Sequence, residues 1–239
     1  MTSPRRAFLK QAGLGAAALS SLPSMLAASP AHAVARTPDD LGARALAWHA
    51  AEWEQQPPAQ TWDTSWTAKV TGKHKAMFDV PEISGGGGVM RAAIWGRQYT
   101  DVLKLTPADL STVIVIRHAA IPLIMNQAFW AEYEVGKEEK LKNDEGKTMK
   151  TNPVLAVDDS KPASYLMLDK QIANGAIALA CNMAFAGIVS MVAKRDKLKN
   201  PEAREKAKSY IVPGVILQPS GIFANVMAEE AGCVFVRAV

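Results

Sequence analysis

At 239 residues the chain has room for one α/β domain with a proper core plus an N-terminal extension. Its 27 Lys and Arg exceed its 23 Asp and Glu mainly through the leader: without Arg5, Arg6 and Lys10 the balance is 24 to 23, so the basic charge is no argument for nucleic acid or anionic lipid, and no nucleic-acid partner is expected. Past residue 33 no segment holds the roughly 18–20 consecutive apolar residues of a bilayer span, so no stable membrane anchor is expected.

In chain order, Pro4-Arg5-Arg6-Ala7-Phe8-Leu9-Lys10 sets paired arginines ahead of an apolar run from Ala12 to Ala28, and Ala31-His32-Ala33 is a small-x-small cleavage site. That is the pattern of a twin-arginine signal peptide. The run is Gly/Ala-rich and broken by Pro23, so it spans a bilayer poorly. The expected history is folding in the cytoplasm, passage through the twin-arginine export machinery, cleavage after Ala33 and residence in the periplasm. Residues 34–72 then read as an extension. Thr37-Pro38-Asp39-Asp40 is a helix start, with a capping hydroxyl, Pro in the first turn and acids at the positive end of the dipole. The helix runs over 38–54 and stops before Pro57-Pro58, and Trp62 and Trp66 pin the polar stretch that follows to the domain.

From Lys73 the pattern changes. Ala76-Met77-Phe78-Asp79-Val80, Thr112-Val113-Ile114-Val115-Ile116, Ala176-Ile177-Ala178-Leu179-Ala180, Val215-Ile216-Leu217 and Val234-Phe235-Val236 are short runs, mostly apolar throughout, as strands buried on both faces require. Helix-like stretches alternate with them: 89–105, 121–133, 163–174, 183–194 continuing to 208, and 220–231. Strict alternation predicts an α/β fold, a three-layer α/β/α domain over 73–239 with a mainly parallel five-stranded sheet. Residues 136–161 interrupt the rhythm with a charged insertion, placed to fold over the sheet edge as a lid, to meet a neighbouring subunit, or simply to lie in solvent.

The last sixty residues carry a further pattern. Ala178-Leu179-Ala180-Cys181-Asn182 ends a strand on Cys-Asn; Pro213-Gly214-Val215-Ile216-Leu217-Gln218-Pro219-Ser220-Gly221 is a strand turning into a helix; Gly232-Cys233-Val234-Phe235-Val236 closes the chain. Together with His74-Lys75-Ala76-Met77-Phe78-Asp79-Val80 as a first strand, this resembles the DsrE/DsrF-like family of small α/β proteins associated with sulfur metabolism. The resemblance covers residues 73–239. It implies a parallel five-stranded sheet, trimeric or hexameric assembly and, in sulfur-relay members, a persulfide on a cysteine at the position of Cys181.

Sites in open parallel sheets form beyond the carboxyl ends of the strands. Three features fall there: the glycine run with Gly86, Gly87 and Gly88 as a close-approach anion site, Arg117-His118 after the second strand, and Cys181-Asn182 after the third. Cys181 is the candidate nucleophile, since backbone N–H groups at a helix entry favour a thiolate. His118 is its candidate acid–base partner, and Arg117 and Asn182 are candidate ligand-binding groups, Arg117 for an anion. Cys233 begins a strand at the opposite edge. A five-residue strand spans roughly 16 Å and a disulfide needs Cα atoms within about 7 Å, so the cysteines stay unpaired within a subunit. No dedicated metal motif, P-loop or dinucleotide fingerprint is present, so no metal or cofactor is expected.

The expected function is that of an exported protein handling a sulfur species or small anionic ligand, the alternative being a non-enzymatic ligand-binding or assembly module of the cell envelope. Trp48, Trp53, Trp62, Trp66 and Trp95 cluster in the extension and first core helix, more large rings than a peripheral segment buries alone. A homo-oligomer, a trimer or a multiple of three, follows as an expectation.

Overall fold

The computed structural model describes residues 61–143, 145–155 and 158–239. The signal sequence, the helix expected over 38–54, Trp48 and Trp53 lie outside the described residues. All five runs are strands: β1 (His74–Val80), β2 (Leu110–Ile116), β3 (Ile177–Cys181), β4 (Val215–Gln218) and β5 (Val234–Arg237). They form one sheet in the order β4-β3-β2-β1-β5, with every neighbouring pair parallel. The chain steps from β1 to β4 in one direction and then returns across the sheet to set β5 beside β1.

The helices are α1 (Gly87–Leu103), α2 (Gln127–Glu132), α3 (Val135–Glu138), α4 (Leu168–Ala173), α5 (Asn182–Asp196), α6 (Asn200–Lys208) and α7 (Gly221–Glu230). Three stretches expected as single helices are broken. Residues 118–124 wind as a 3-10 helix containing Pro122, which has no N–H to give an α-helical ladder, and α2 starts afresh where the Asn126 side chain caps Phe129 N–H at 2.9 Å. Pro162–Leu166 is likewise 3-10, and an extended Met167 separates it from α4. Left-handed Lys197 ends α5, and α6 begins with Pro201 in its first turn.

Alternation along the strands sorts side chains onto two faces. Ala76, Phe78, Val80, Ile114, Ile116, Ala178 and Ala180 meet Val89 of α1, Phe129 and Trp130 of α2 and Phe185 of α5. Met77, Val113, Val115, Ile177 and Leu179 form the other face, under Ala224 and Ala228 of α7 and under Trp66 and Val70. Packing therefore begins ahead of Lys73: Trp66, on the 3-10 turn Ser65–Lys69, is fully buried.

The charged insertion folds back on its own chain. Asn152 Nδ2 donates to the carbonyls of Leu123 and Met125 at 2.8 and 2.7 Å, and Val154 is fully buried against Gly86. Among the described residues no helix is long and apolar enough to cross a membrane.

Candidate functional site

The carboxyl edge of the sheet gathers the expected residues into two separate places. Ile116 pairs with Ala180, so Arg117 and Cys181 follow side by side at the ends of β2 and β3. Both belong to the face of Val115 and Leu179, the one covered by α7. Cys181 also pairs with Gln218 across β3 and β4. A thiol, a guanidinium and an amide thus stand along one row.

Cys181 is the N-cap of α5, with extended backbone, and its Sγ accepts from the Ala184 N–H at 3.4 Å. The first turn of a 15-residue helix therefore points its N–H groups at the sulfur, an arrangement that favours negative charge there. The residue is 7 % exposed.

Arg117 is fixed by Asp79 of β1. Nε donates to Oδ1 at 2.6 Å and Nη2 to Oδ2 at 2.8 Å, a bidentate pair in which the carboxylate is almost completely buried and the guanidinium about a third exposed. Asn225 of α7 donates a further bond to Asp79 Oδ1 at 3.1 Å. Hydrogen bonding to Asp79 holds the guanidinium above its ordinary range against the opposing effect of burial, and the charges of Asp79 and Cys181 add to it. Gly221, first residue of α7, lets the Arg117 stem pass: a Cβ there would overlap its methylenes. With one edge engaged by Asp79, the remaining N–H groups of Arg117 are left for an anion beside the thiol.

His118 is not part of that row. Its backbone takes a left-handed φ of 51°, and its exposed side chain lines a cleft of about 310 Å³ with Glu82, Ile83, Ser84, Ala119, Glu139 and Leu141. No hydrogen bond joins it to Cys181, so an acid–base role toward that thiol gains no geometric support.

Asn182 turns to the opposite face, where its Oδ1 accepts from Arg204 Nη2. Arg204 lies 5.7 Å over the Phe185 ring, and burial lowers its pKa. Two of the three candidate glycines meet protein atoms: a Cβ on Gly86 would come within 2.5 Å of Val154 Cγ1, and one on Gly88 within 2.5 Å of the Ala238 carbonyl. Their smallness serves the docking of the insertion and of the chain after β5, and Gly87 alone is open.

Cys233 precedes β5, and burial pushes its thiol up. Both cysteines are free. Among the described residues no group of three or more His, Cys, Asp or Glu side chains is placed to hold a metal ion.

Asp79, Gln218 and Asn225 complete the site and were not among the sequence candidates. Asp79 had a signal, a carboxylate inside an otherwise apolar strand run; Gln218 and Asn225 had only their polarity. Comparison with protein-family models, with curated proteins and with solved structures gives no match to this chain.

Proposed function

We propose that this is an exported, DsrE-like protein that handles an anionic sulfur species at Cys181, delivered to the periplasm by the twin-arginine route. The observation that carries the reading is the row of Arg117 and Cys181, with the sulfur at the N-terminus of α5 and the guanidinium aligned by Asp79. Each element favours an anion next to a nucleophilic sulfur. With thiosulfate as donor, the Cys181 thiolate attacks the outer sulfur, the S–S bond of thiosulfate breaks, and sulfite leaves with the bonding pair. The product is the Cys181 persulfide anion, and neither an oxidant nor a reductant is consumed. Arg117 holds the sulfonate oxygens during the attack.

Intact-mass measurement after incubation with thiosulfate tests this. The expected result is one added sulfur atom per chain, retained in Cys233→Ser and lost in Cys181→Ser. Absence of the adduct in the parent protein, or its survival in Cys181→Ser, defeats the proposal.

A second reading is a binding or assembly module of the cell envelope in which the thiol stays inert, and the 7 % exposure of Cys181 favours it. Assembly is a proposal on either reading. Ile222 and Val226 on α7 are 73 % and 49 % exposed, and Phe235 on β5 is 44 % exposed, an apolar strip suited to a homo-oligomer contact. Light scattering is expected to give a trimer or a multiple of it; a monomer at micromolar concentration contradicts that.

A further inference from the structure

Cys181 is nearly closed off, and what closes its face is thin. Beside α7, the cover consists of residues 63–70. Trp66 is buried in the same apolar cluster as Ile177 and Leu179, the two β3 residues that precede Cys181 on the same face. Gln218, paired with Cys181, donates its Nε2 to the Asp63 carbonyl at 2.7 Å. At the other end Gly72 N–H donates to Ser111 Oγ at 2.8 Å. Among the described residues the segment is thus tied to the rest of the fold by one hydrogen bond near each end, with Trp66 and Val70 buried between them.

Two fully buried polar atoms at this contact have no partner among the described residues: Trp66 Nε1 and Gln218 Oε1. Closing the segment removes both from bulk water without giving either a protein hydrogen bond, which weakens the closed state. The Asp63 side chain bonds only to Ser65, and the 3-10 turn has no side-chain cap, so the segment's own polar groups add no tie to the sheet.

We propose that residues 63–70 form a releasable cover over the Cys181 row, and that their lifting admits the sulfur donor. This rests on the reading of Cys181 as the reactive group. Release breaks the Gln218 bond to Asp63 and withdraws the Trp66 ring from the apolar cluster on that face of the sheet, opening the side of Cys181 that faces β4. The rest of the sheet keeps its ladder, because no strand pairing passes through the segment.

The test uses the full mature chain carrying Cys233→Ser, so that one thiol reports. Labelling of Cys181 by an aromatic disulfide is followed in this parent, in Trp66→Ala and in Gln218→Leu. Labelling about tenfold faster or more is expected in both variants. Hydrogen exchange on the parent needs no variant: the amides of Thr67, Val70 and Gly72 are expected to exchange well before those of β2. Equal labelling rates in parent and folded variants, or cover amides as slow as those of β2, overturn the proposal. Fast labelling in the variants with no sulfur taken up from thiosulfate leaves the cover standing and removes the sulfur reading instead.

Discussion

The two faces of the sheet differ in what covers them, and the difference separates stability from chemistry. One face lies under α1, α2 and α5, where Phe129, Trp130 and Phe185 fill the layer and Trp130 Nε1 donates to the Pro122 carbonyl at 2.8 Å. The other lies under one helix and a 3-10 turn, and its carboxyl end holds Asp79, Arg117, Cys181, Gln218 and Asn225. Of the four buried side-chain polar atoms without a partner among the described residues, three belong to this second cover or its rim: Trp66 Nε1, Gln218 Oε1 and Asn225 Oδ1. The thick layer holds only the fourth, Asp169 Oδ1 on α4; a thin cover tolerates such groups where a ligand or water can approach.

The sharpest way to break the comparison is to truncate the thick face. Phe185→Ala is expected to cost about 3–5 kcal/mol in urea unfolding, because a fully buried ring leaves a cavity that α5 cannot close. Asp79→Ala comes next, at about 2–4 kcal/mol, since it strands a guanidinium that is two-thirds buried. A smaller effect compares the two tryptophans. Trp130→Phe removes a satisfied bond, for about 0.5–1.5 kcal/mol beyond lost packing, although the Pro122 carbonyl keeps its bond from the Met125 N–H; Trp66→Phe removes an N–H without a partner among the described residues and should cost about 1 kcal/mol less than its counterpart. Equal costs at the two positions would erase the distinction between the faces.

The smallest expected effect lies in a polar cluster on the outer side of the thick layer. Tyr133 O–H donates to Asp196 Oδ2 at 2.6 Å, and burial, then this bond, pushes its pKa from 10.0 up to about 12. A raised folded-state value means a contribution that is complete below pH 10 and lost as pH rises through about 12. The stability gap between the parent and Tyr133→Phe should therefore be constant from about pH 6 to pH 10 and shrink above it, and it should also shrink in acid, where Asp196, held below its ordinary range first by this bond, takes up its proton. A gap that widens above pH 10 refutes the assignment.

Much of the architecture was legible because buried parallel strands are apolar on both faces, and that signal needs no tertiary information. All five runs and the carboxyl-edge position of Arg117 and Cys181 follow from it. Helix continuity was less legible. Pro122 and Met167 redirect the chain inside stretches whose composition still suits a helix. The site was legible only where a residue's place along a strand determines its role. Facing depends on single-residue alternation, so Arg117 joins Cys181 while His118 lines another cleft and Asn182 turns to the other layer. Partners distant in sequence left no local trace: Asp79 and Asn225 are 146 residues apart and meet only in the fold.

The most direct test concerns whether Arg117 and Cys181 act together on an anion. The double variant Asp79→Asn with Arg117→Met removes the charged pair without leaving either charge buried and unpaired. Its rate of sulfur uptake is measured by mass spectrometry with two donors, thiosulfate and an alkyl persulfide that lacks the sulfonate. With thiosulfate the rate is expected to fall about tenfold to a hundredfold, the loss of a hydrogen bond to a charged group. With the persulfide, which offers no sulfonate oxygens to Arg117, it should stay within about twofold of the parent, at Cys181. An equal fall with both donors, no fall with either, or sulfur appearing on Cys233 contradicts a site built from Arg117 and Cys181.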